Sequence, residues 1–384
     1  MTEQLDVAVI GAGIYGLMTA HRLLTMGVRK VAVFEMNYIG SGQSSRNAGG
    51  IRAQFANPHT IKFMVAAENE WRRMTRELGY NILFTQDGYL FSCYDDEDTE
   101  LYALHRKLQN ENGVKSVWLE PDAVAEHVPG INMEGLAGAN FHSLDGILHH
   151  DAVISGLIFS IRRNGGKIYE YTPVGKVEIG HDGKATLRTP NGNFQADYVV
   201  NATAAYAPGI ASGLGISLPI KPVRRELVAT EPLRFFMKPM LVSLKYGITI
   251  HQSLRGEFIG HTSIAEPENF DLKASFAFMV KYARDITKLL PFMKNVRIVR
   301  QWAGTYDMTP DNSPVLGPAP SIPNFINAAG SSGHGFMLAP AVGKFIAEYI
   351  TTGKVNELMR PFSLERFEKG EPLTELVLSH RGVL

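Results

Sequence analysis

The first 35 residues carry the pattern that most restricts how this chain can fold. Residues 5–10, LDVAVI, predict a short buried strand, and the glycine loop GAGIYG follows directly at residues 11–16. A stretch with apolar residues at helical spacing comes next, and a second apolar strand, KVAVFE, ends at Glu35. A strand, a GxGxxG loop, a helix and a strand with a terminal acid within about 30 residues form the dinucleotide-binding βαβ fingerprint. The chain therefore predicts a Rossmann-like nucleotide-binding domain.

Each part of this fingerprint has a physical task. Gly11 permits the tight turn after the strand, Gly13 lets the backbone approach a pyrophosphate, and Gly16 lets the helix pack closely on the strand. The pyrophosphate then lies at the positive N-terminus of the helix. Glu35 is expected to accept hydrogen bonds from ribose hydroxyls, and its charge would repel a 2′-phosphate.

The composition is that of a globular enzyme. Of the 384 residues, 45% are hydrophobic and 20% are charged, and this length is ample for a large core. The 38 basic and 38 acidic residues balance, so there is no electrostatic footprint for nucleic acid or for an anionic membrane. No apolar stretch has the length of a membrane span. The single cysteine, Cys93, excludes an internal disulfide and suits a reducing compartment, so a cytoplasmic enzyme is expected.

The rest of the chain predicts two interleaved structural units. Residues 38–55 are rich in Gly, Ser and Arg, which is too polar for a core and too rich in glycine for a regular element. Small residues at 202–204 follow a predicted strand that ends at Asn201, where they would permit close approach to a ligand. Between residues 221 and 299, alternating strand patterns and one helix predict a second, sheet-based unit. Helices are predicted at 57–79, 95–112, 121–130, 151–164, 276–290 and 338–350.

Seven ordered segments resemble the D-amino-acid-oxidase-type family of FAD-dependent enzymes. They are GAGIYG with Glu35, SSRNAGGIRAQF, LHHDAV, VVNATAAYA, LVSLKYG, RQWAGTYDMTPDNSP and GSSGHGFMLAPAVG, and they run over essentially the whole chain. Within the family, the chain is similar to the β subunits of heterotetrameric sarcosine oxidase and of dye-linked L-proline dehydrogenase. The resemblance implies FAD rather than NAD, and oxidation of a secondary amine or amino acid. It also implies noncovalent FAD, because no cysteine lies where monomeric sarcosine oxidase tethers its cofactor.

The resemblance sharpens the expected fold. The class is α/β with an α+β second domain. The Rossmann-like FAD-binding domain, of the glutathione-reductase/D-amino-acid-oxidase type, takes residues 1–80, 146–220 and 300–384. A discontinuous antiparallel-sheet substrate domain takes residues 81–145 and 221–299. The implied partners are a larger FAD/NAD-type α subunit, further small subunits, and a small amino-acid substrate.

The chemistry of flavin-dependent amine oxidation indicates which groups to seek. A hydride equivalent moves from the substrate α-carbon to flavin N5, so the protein must fix the substrate carboxylate and stabilise charge near flavin N1. Arg52 matches a carboxylate-binding arginine of monomeric sarcosine oxidase, although a surface or FAD-contacting role stays open. Gly333, His334 and Gly335 open a predicted helix, whose N–H groups and dipole would face the N1–C2 edge. Tyr246 could supply a hydroxyl over the substrate or belong to the core.

The residues expected to contact FAD come from the glycine loop, the polar loop, the strand ends and the last glycine-rich turn. This set is Gly11, Gly13, Ile14, Tyr15, Gly16, Glu35, Ser41, Ser45, Arg46, Asn47, Gly50, Val174, Ala202, Thr203, Trp302, Gly304, Asp311, Gly330, Gly333, His334, Gly335, Phe336 and Met337. The expected catalytic set is Arg52, Tyr246, His334 and Met337.

Three positions bear on the finer function. His150, in LHHDAV, matches a histidine that sarcosine oxidase β subunits attach to a second flavin, FMN, at the α/β interface. The proline dehydrogenase relatives lack that histidine but are thought to keep FMN, so a bond, a plain contact and a solvated loop histidine stay open. Met337 stands where sarcosine oxidases carry a lysine linked to reaction with oxygen, which favours a dehydrogenase. Tyr306 stands where glycine oxidases place a carboxylate-binding arginine, which argues against glycine as the substrate.

The leading hypothesis is therefore an FAD-dependent dehydrogenase or oxidase of a secondary amino acid, acting as a β subunit that passes electrons on through FMN. The alternatives are an FAD-binding domain in tRNA modification, a flavin electron-transfer scaffold without amine turnover, and an NAD dehydrogenase. The sequence has no HxxxH or His/Cys spacing typical of a zinc site and no GxSxG elbow, so neither a metal nor a hydrolase is predicted.

Overall fold

The computed structural model describes residues 3–266 and 268–374. Its strands are β1 (Glu3–Ile10), β2 (Val31–Phe34), β3 (Gly50–Ile51), β4 (Tyr89–Cys93), β5 (Val117–Leu119), β6 (Gly138–His142), β7 (Gly146–Ile147), β8 (Lys167–Tyr169), β9 (Lys176–Ile179), β10 (Ala185–Thr189), β11 (Gly192–Asn201), β12 (Lys221–Thr230), β13 (Met240–Ser243), β14 (Ile248–Gln252), β15 (Phe258–Thr262), β16 (Ile298–Met308), β17 (Val315–Ala319) and β18 (Ile322–Ala329). Its α-helices are α1 (Ile14–Thr25), α2 (Pro58–Leu78), α3 (Asp96–Glu111), α4 (Pro121–His127), α5 (His150–Arg163), α6 (Ala207–Ser212), α7 (Phe276–Leu289), α8 (Gly335–Thr352) and α9 (Glu365–Glu368).

The first sheet is the predicted nucleotide-binding sheet. Its strands follow the order β17-β18-β11-β1-β2-β8, and a hairpin of β9 and β10 joins it through β11. β1 pairs in parallel with β2 and with β11, and β11 pairs in parallel with β18. The carboxyl ends of these strands therefore meet at one edge, where a parallel sheet binds its ligand. The Rossmann-like half of the expected fold is confirmed.

Helices α1 and α8 pack together against this sheet. α8 is apolar around most of its surface, as expected for a helix buried inside the protein. Glycines permit the close approach: a Cβ on Gly16 would collide with the carbonyl oxygen of Gly11, and one on Gly343 would lie 2.7 Å from Cγ of Met18. The fold thus fixes the start of α1 and the start of α8 beside the strand ends.

The second sheet has the order β16-β12-β15-β14-β13-β4-β6-β5. Its neighbours are antiparallel except β4 and β13, which pair in parallel. This departs from the expected antiparallel sheet, and it is possible because the long segment between β4 and β13 can return the chain to the same end. The division into two domains stays a prediction. The last strand of the second sheet, β16, runs from Ile298 across the expected boundary at 300 to Met308.

Two single features of the chain remain. Cys93 is fully buried on β4, and burial raises the pKa of its thiol, which makes it an inert core cysteine. Among the residues described here, no helix is both long enough and apolar enough to cross a bilayer.

Candidate active site

A cavity of about 580 Å³ is lined by residues of both sheets. One part of its wall is the carboxyl edge of the first sheet with the glycine loop and Glu35. Another part is one face of the second sheet, and the first turn of α8 borders the same space. The strand ends, the polar loop and the last glycine-rich turn, which were predicted to act together, therefore meet at one cavity.

The glycine loop forms a cradle that suits a dinucleotide. Gly11 has φ +100°, and a Cβ there would collide with the carbonyl oxygen of Ala202. Oε2 of Glu35 accepts a hydrogen bond from the Ala12 amide at 2.9 Å, which fixes the carboxylate at the cavity. Oγ of Ser44 accepts a hydrogen bond from the Ile14 amide, the first residue of α1, at 2.8 Å. The tight turn, the helix N-terminus and the fixed acid fit the adenosine diphosphate half of FAD.

The register of the second sheet explains which of its side chains face the cavity. Directly paired residues point to the same face, and every second residue along a strand does too. Tyr89 pairs with Met240, and Arg225 pairs with Gly304, and both pairs belong to the cavity wall. The cavity-lining set on this face is Tyr89, Phe91, Met240, Val242, Thr249, His261, Arg225, Leu227, Gly304 and Tyr306. One sheet face thus supplies both apolar and polar groups to the space.

Arg52 presents its guanidinium to this cavity. Its Cζ lies 3.9 Å from the ring centroid of Phe55 and 5.6 Å from that of Phe91. One terminal nitrogen donates to the carbonyl oxygen of Gln54, and the other lies 3.3 Å from Nε2 of His334. No acidic side chain of the described residues lies within 4.0 Å of it. The side chain is therefore held in place with donors left for an anionic ligand.

His334 is the residue that caps the start of α8. Burial, and then the nearby Arg52 charge, lower the pKa of His334 to about 3. The imidazole is therefore neutral at pH 7, and since a guanidinium can only donate, Nε2 accepts and the proton lies on Nδ1. Its ring also packs edge-on against Phe55, with centroids 4.9 Å apart. His334 thus fixes Arg52 beside the helix terminus.

Two further contacts hold the loops that carry these groups. Nε1 of Trp302 donates to the carbonyl oxygen of Arg46 at 3.1 Å. The Asp307 carboxylate accepts from the Gly330 amide at 2.8 Å and from the Ser331 hydroxyl at 2.6 Å. Burial raises the pKa of Asp307, while these hydrogen bonds oppose the rise. Strand β16 therefore supports both the polar loop and the turn that leads into α8.

Most of the predicted site residues line the cavity. This set is Gly11, Gly13, Ile14, Tyr15, Glu35, Ser41, Arg46, Asn47, Gly50, Arg52, Val174, Ala202, Thr203, Gly304, Gly333, His334, Gly335, Phe336 and Met337. Their contact with FAD stays a prediction, but their grouping around one space agrees with it.

Five other residues that were predicted to contact FAD do not line the cavity. Gly16 serves the packing of α1 on β1, and Gly330 has φ +72° in the turn that Asp307 holds. Ser45 lies beside Gly40, and its neighbour Ser44 reaches the cavity instead. Trp302 acts on Arg46 through its hydrogen bond, as described above. Asp311 forms a buried ion pair with Arg366 at 2.7 Å. These five residues support the structure around the cavity rather than line it.

Tyr246 and His150 also lie outside the cavity wall. The ring of Tyr246 is partly buried and packs edge-on against Tyr94, with centroids 5.3 Å apart, at the margin of the core beside the second sheet. These contacts favour the core alternative, and the expected hydroxyl over the substrate stays a prediction. His150 begins α5, with Nε2 3.4 Å from the Asp151 carboxylate. Its contact with FMN stays a prediction.

The structure also adds residues that the sequence did not single out. Ser44, Arg225, His261 and Asp307 line the cavity, although only the SSR and WAGTYD segments had drawn attention nearby. Behind Arg52, the acidic groups of Glu68 and Asp145 and the imidazole of His142 lie within 4.8 Å of one another, all buried. We call these three residues the buried acid cluster. No spacing in the sequence indicates the cluster, because its members come from separate elements.

A nucleotide cradle that opens onto a sheet face beside an arginine with free donors is the arrangement expected of a flavin-dependent oxidoreductase of amine or amino-acid substrates. Comparison with known proteins agrees. The family described as DAO, FAD dependent oxidoreductase, matches residues 6–349. The chain therefore belongs to the DAO family of FAD-dependent oxidoreductases.

Individual relatives are similar over nearly the whole chain. The crystal structure of L-proline dehydrogenase from P. horikoshii matches with a TM-score of 0.93 and 34% identity, covering 97% of this chain and 100% of that one. Sarcosine oxidase subunit beta of Rhodobacter capsulatus is 26% identical over 98% of this chain and 91% of its own length. Glycine oxidase from Geobacillus kaustophilus matches with a TM-score of 0.88 and 25% identity, covering 95% and 99% of the two chains. This chain is an enzyme that uses FAD to oxidise small amino-acid-like substrates.

Proposed function

We propose that this chain oxidises a secondary amino acid, L-proline or a sarcosine-like compound, to the imine. The arrangement around Arg52 carries the proposal. Its guanidinium is stacked on Phe55, has no acidic partner within 4.0 Å among the described residues, and lies beside His334 at the start of α8. A substrate carboxylate would supply the missing negative charge in a bidentate pair.

Several residues of the chain have separate roles in the proposed oxidation. When bound, FAD would accept the hydride equivalent from the substrate carbon. Arg52 binds and orients the substrate carboxylate, and neutral His334 holds the guanidinium in position. The first amides of α8 have no partner inside the helix, so their N–H groups and the helix dipole stabilise negative charge at the cavity. Phe91 and Met240 cover the site with apolar surface and exclude water.

The electron acceptor is proposed to be something other than oxygen. Met337 lines the cavity where the resemblance to sarcosine oxidases would place a lysine, and it brings no positive charge there. Its backbone carbonyl accepts a hydrogen bond from Nε1 of Trp71 at 3.0 Å, so the residue is fixed in this position. The likeness to L-proline dehydrogenase from P. horikoshii supports a dehydrogenase.

Anaerobic titration tests the proposed reaction directly. Adding L-proline or sarcosine to the FAD-loaded protein is expected to bleach the visible absorbance of FAD, because the substrate reduces the flavin. Glycine is the matched control and is expected to bleach it far more slowly, since Tyr306 stands where an arginine would bind it. A protein that holds FAD but is bleached by no cyclic or N-alkyl amino acid would contradict the proposal.

We further propose that the chain acts as a β subunit and passes electrons through FMN at the interface with a larger α subunit. Relatives named sarcosine oxidase subunit beta support such an assembly. His150 supports the FMN site, since it lies outside the cavity wall and burial lowers its pKa, leaving a neutral imidazole at pH 7. The neighbouring His149 ring stacks 5.5 Å away. A cytoplasmic location is part of the proposal, because one buried cysteine suits a reducing compartment.

The flavin content of a His150→Ala variant tests the FMN site. In the protein purified with its partners, the ratio of FMN to FAD is expected to fall at least severalfold, while FAD per chain stays constant. His149→Ala is the matched control and is expected to keep the ratio. Quantifying acid-released and retained flavin checks both values and also reports a covalent bond. An unchanged ratio in His150→Ala would show that His150 does not hold FMN.

A further inference from the structure

A second guanidinium without an acidic partner lines the same cavity. Arg225 lies on β12, and one of its terminal nitrogens donates to the backbone carbonyl of Arg224 at 3.2 Å. Among the described residues, no carboxylate lies within 4.0 Å of it. The preceding residue differs sharply, since Arg224 pairs with Glu266 at 2.7 Å. One arginine of this pair therefore belongs to the structure, and the other is available to a ligand.

The pairing of β12 with β16 explains why Arg225 faces the cavity. Arg225 lies directly opposite Gly304, and Val223 lies opposite Tyr306, so Arg225 and Tyr306 share one face of the sheet. Glu226 points to the other face, where its carboxylate accepts from the Ser275 hydroxyl and from Nε2 of Gln301. The nearest acid in sequence is thus turned away from the Arg225 guanidinium.

Arg225 and Arg52 are connected through Tyr306. The Arg225 guanidinium carbon lies 5.6 Å from the centroid of the Tyr306 ring. That ring lies where a Cβ on Gly333 would be, and the next residue, His334, contacts Arg52 at 3.3 Å. Both guanidiniums lower the pKa of Tyr306 against the larger effect of burial, so both act on its hydroxyl.

The other acidic residues that line the cavity have hydrogen-bond partners of their own. Asp307 is held by Gly330 and Ser331, and Glu35 lies at the nucleotide cradle on the other sheet. A substrate with one carboxylate would neutralise Arg52 and leave Arg225 without a counter-charge. A half-buried guanidinium gains most from a planar anion that it can bind with two hydrogen bonds.

We propose that Arg225 binds a second carboxylate, so that the preferred substrates are secondary amines that carry two carboxylates. One carboxylate belongs to the carbon that is oxidised and pairs with Arg52, and the other belongs to the second substituent of the nitrogen and pairs with Arg225. This assignment rests on the proposed amine oxidation and names the class of amine.

Sarcosine and iminodiacetate form a matched pair of probes, because the second differs by one added carboxylate on the nitrogen substituent. With the assembled enzyme and an artificial dye as acceptor, kcat/KM is expected to be at least tenfold higher for iminodiacetate. Arg225→Gln is expected to lower the ratio of the two kcat/KM values at least tenfold, mainly through KM for iminodiacetate, and Arg225→Lys less. Arg255→Gln, on an exposed turn, is the control and should leave the ratio unchanged. A ratio that Arg225→Gln does not alter would overturn the proposal.

A binding measurement separates this proposal from the amine oxidation itself. Oxydiacetate and methoxyacetate are ethers that cannot form the imine, and the change that they are expected to cause in the absorbance of bound FAD measures their binding. Tighter binding of oxydiacetate, lost in Arg225→Gln at constant FAD content, would support the second carboxylate site even if no amine were oxidised. Equal binding of the two ethers would overturn that site while leaving the oxidation of proline or sarcosine intact. A parallel loss of FAD in Arg225→Gln would show that the residue holds the cofactor, which would also overturn it.

Discussion

Replacing Arg52 with alanine is expected to lower kcat/KM for the amino-acid substrate on the order of a hundredfold or more, because the proposed charge pair between its partly buried guanidinium and the carboxylate is lost. FAD content should stay constant, since the nucleotide cradle of Gly11 and Glu35 is untouched. Arg52→Lys keeps the charge without the planar fork and is expected to retain part of the activity. Dye-linked turnover and FAD per chain, measured on the same preparations, check both expectations.

The stacking partners of Arg52 provide an internal comparison. Phe55→Leu removes the ring 3.9 Å below the guanidinium but keeps an apolar side chain, so a smaller rise in KM is expected. Arg255→Ala, on an exposed turn, should behave like the unaltered protein. If FAD content fell in step with activity in Arg52→Ala, the arginine would be a cofactor ligand and its assigned role would be wrong.

Local signals in the sequence predict most of the fold. The helix expected at 57–79 is Pro58–Leu78, because Asn57 caps it by accepting from the His59 amide and Gly79 ends it at φ +64°. The βαβ fingerprint was sufficient to place the nucleotide cradle, since its strand, loop, helix and terminal acid lie within one short segment, although Ser44 and Ala202 add contacts from farther along the chain. The start of α8 lies earlier than expected, at Gly335, because the glycine-rich turn itself becomes the first turn of the helix.

The part of the site on the polar loop and the second sheet depends on contacts between distant segments. The sequence alone did not predict those contacts. Ser44 rather than Ser45 reaches the cavity because the orientation of one short helical turn decides between them. Arg225 faces the cavity and Arg224 does not, and only the register with β16 determines which of the two it is. Tyr246, which the sequence suggested for the substrate site, is partly buried against the core and lies outside the cavity wall. Hydrophobic periodicity therefore predicted the helices and strands well, but it predicted poorly towards which face a single side chain points.

The buried acid cluster is the clearest case of such a long-range feature. Asp145 accepts hydrogen bonds from the Ala53 amide at 2.9 Å and from Nε2 of Gln54 at 2.8 Å, so it holds the backbone next to Arg52. Glu68, on α2, is 3% exposed, and its Oε1 has no hydrogen-bond partner among the described residues. Burial, and then the nearby Asp145 carboxylate, raise the pKa of Glu68 to about 10. Glu68 is therefore a neutral acid at pH 7, and Asp145 keeps its role as an acceptor.

This arrangement predicts how stability depends on pH. An ordinary glutamate pKa is 4.5, so between pH 4.5 and about 10 the folded chain keeps a proton on Glu68 that the unfolded chain has lost. The contribution of Glu68 to stability is complete below pH 4.5 and falls as pH rises, on the order of 1 kcal/mol per pH unit. Glu68→Gln removes this titration. The variant is expected to unfold at a similar temperature near pH 5 and at a clearly higher temperature near pH 9.

Glu70, on the same helix, is the matched control. Its carboxylate contacts Arg22 and Arg73 at 2.7 Å and Lys344 at 3.0 Å, so Glu70→Gln breaks a network of ion pairs and should lower the unfolding temperature at both pH values. A cation bound between Glu68, His142 and Asp145 would reverse the outcome for Glu68. In that case Glu68→Gln would lose the ion and be destabilised near pH 9, and metal analysis of the purified protein would detect the difference. Thermal unfolding at the two pH values therefore distinguishes a protonated Glu68 from a metal site.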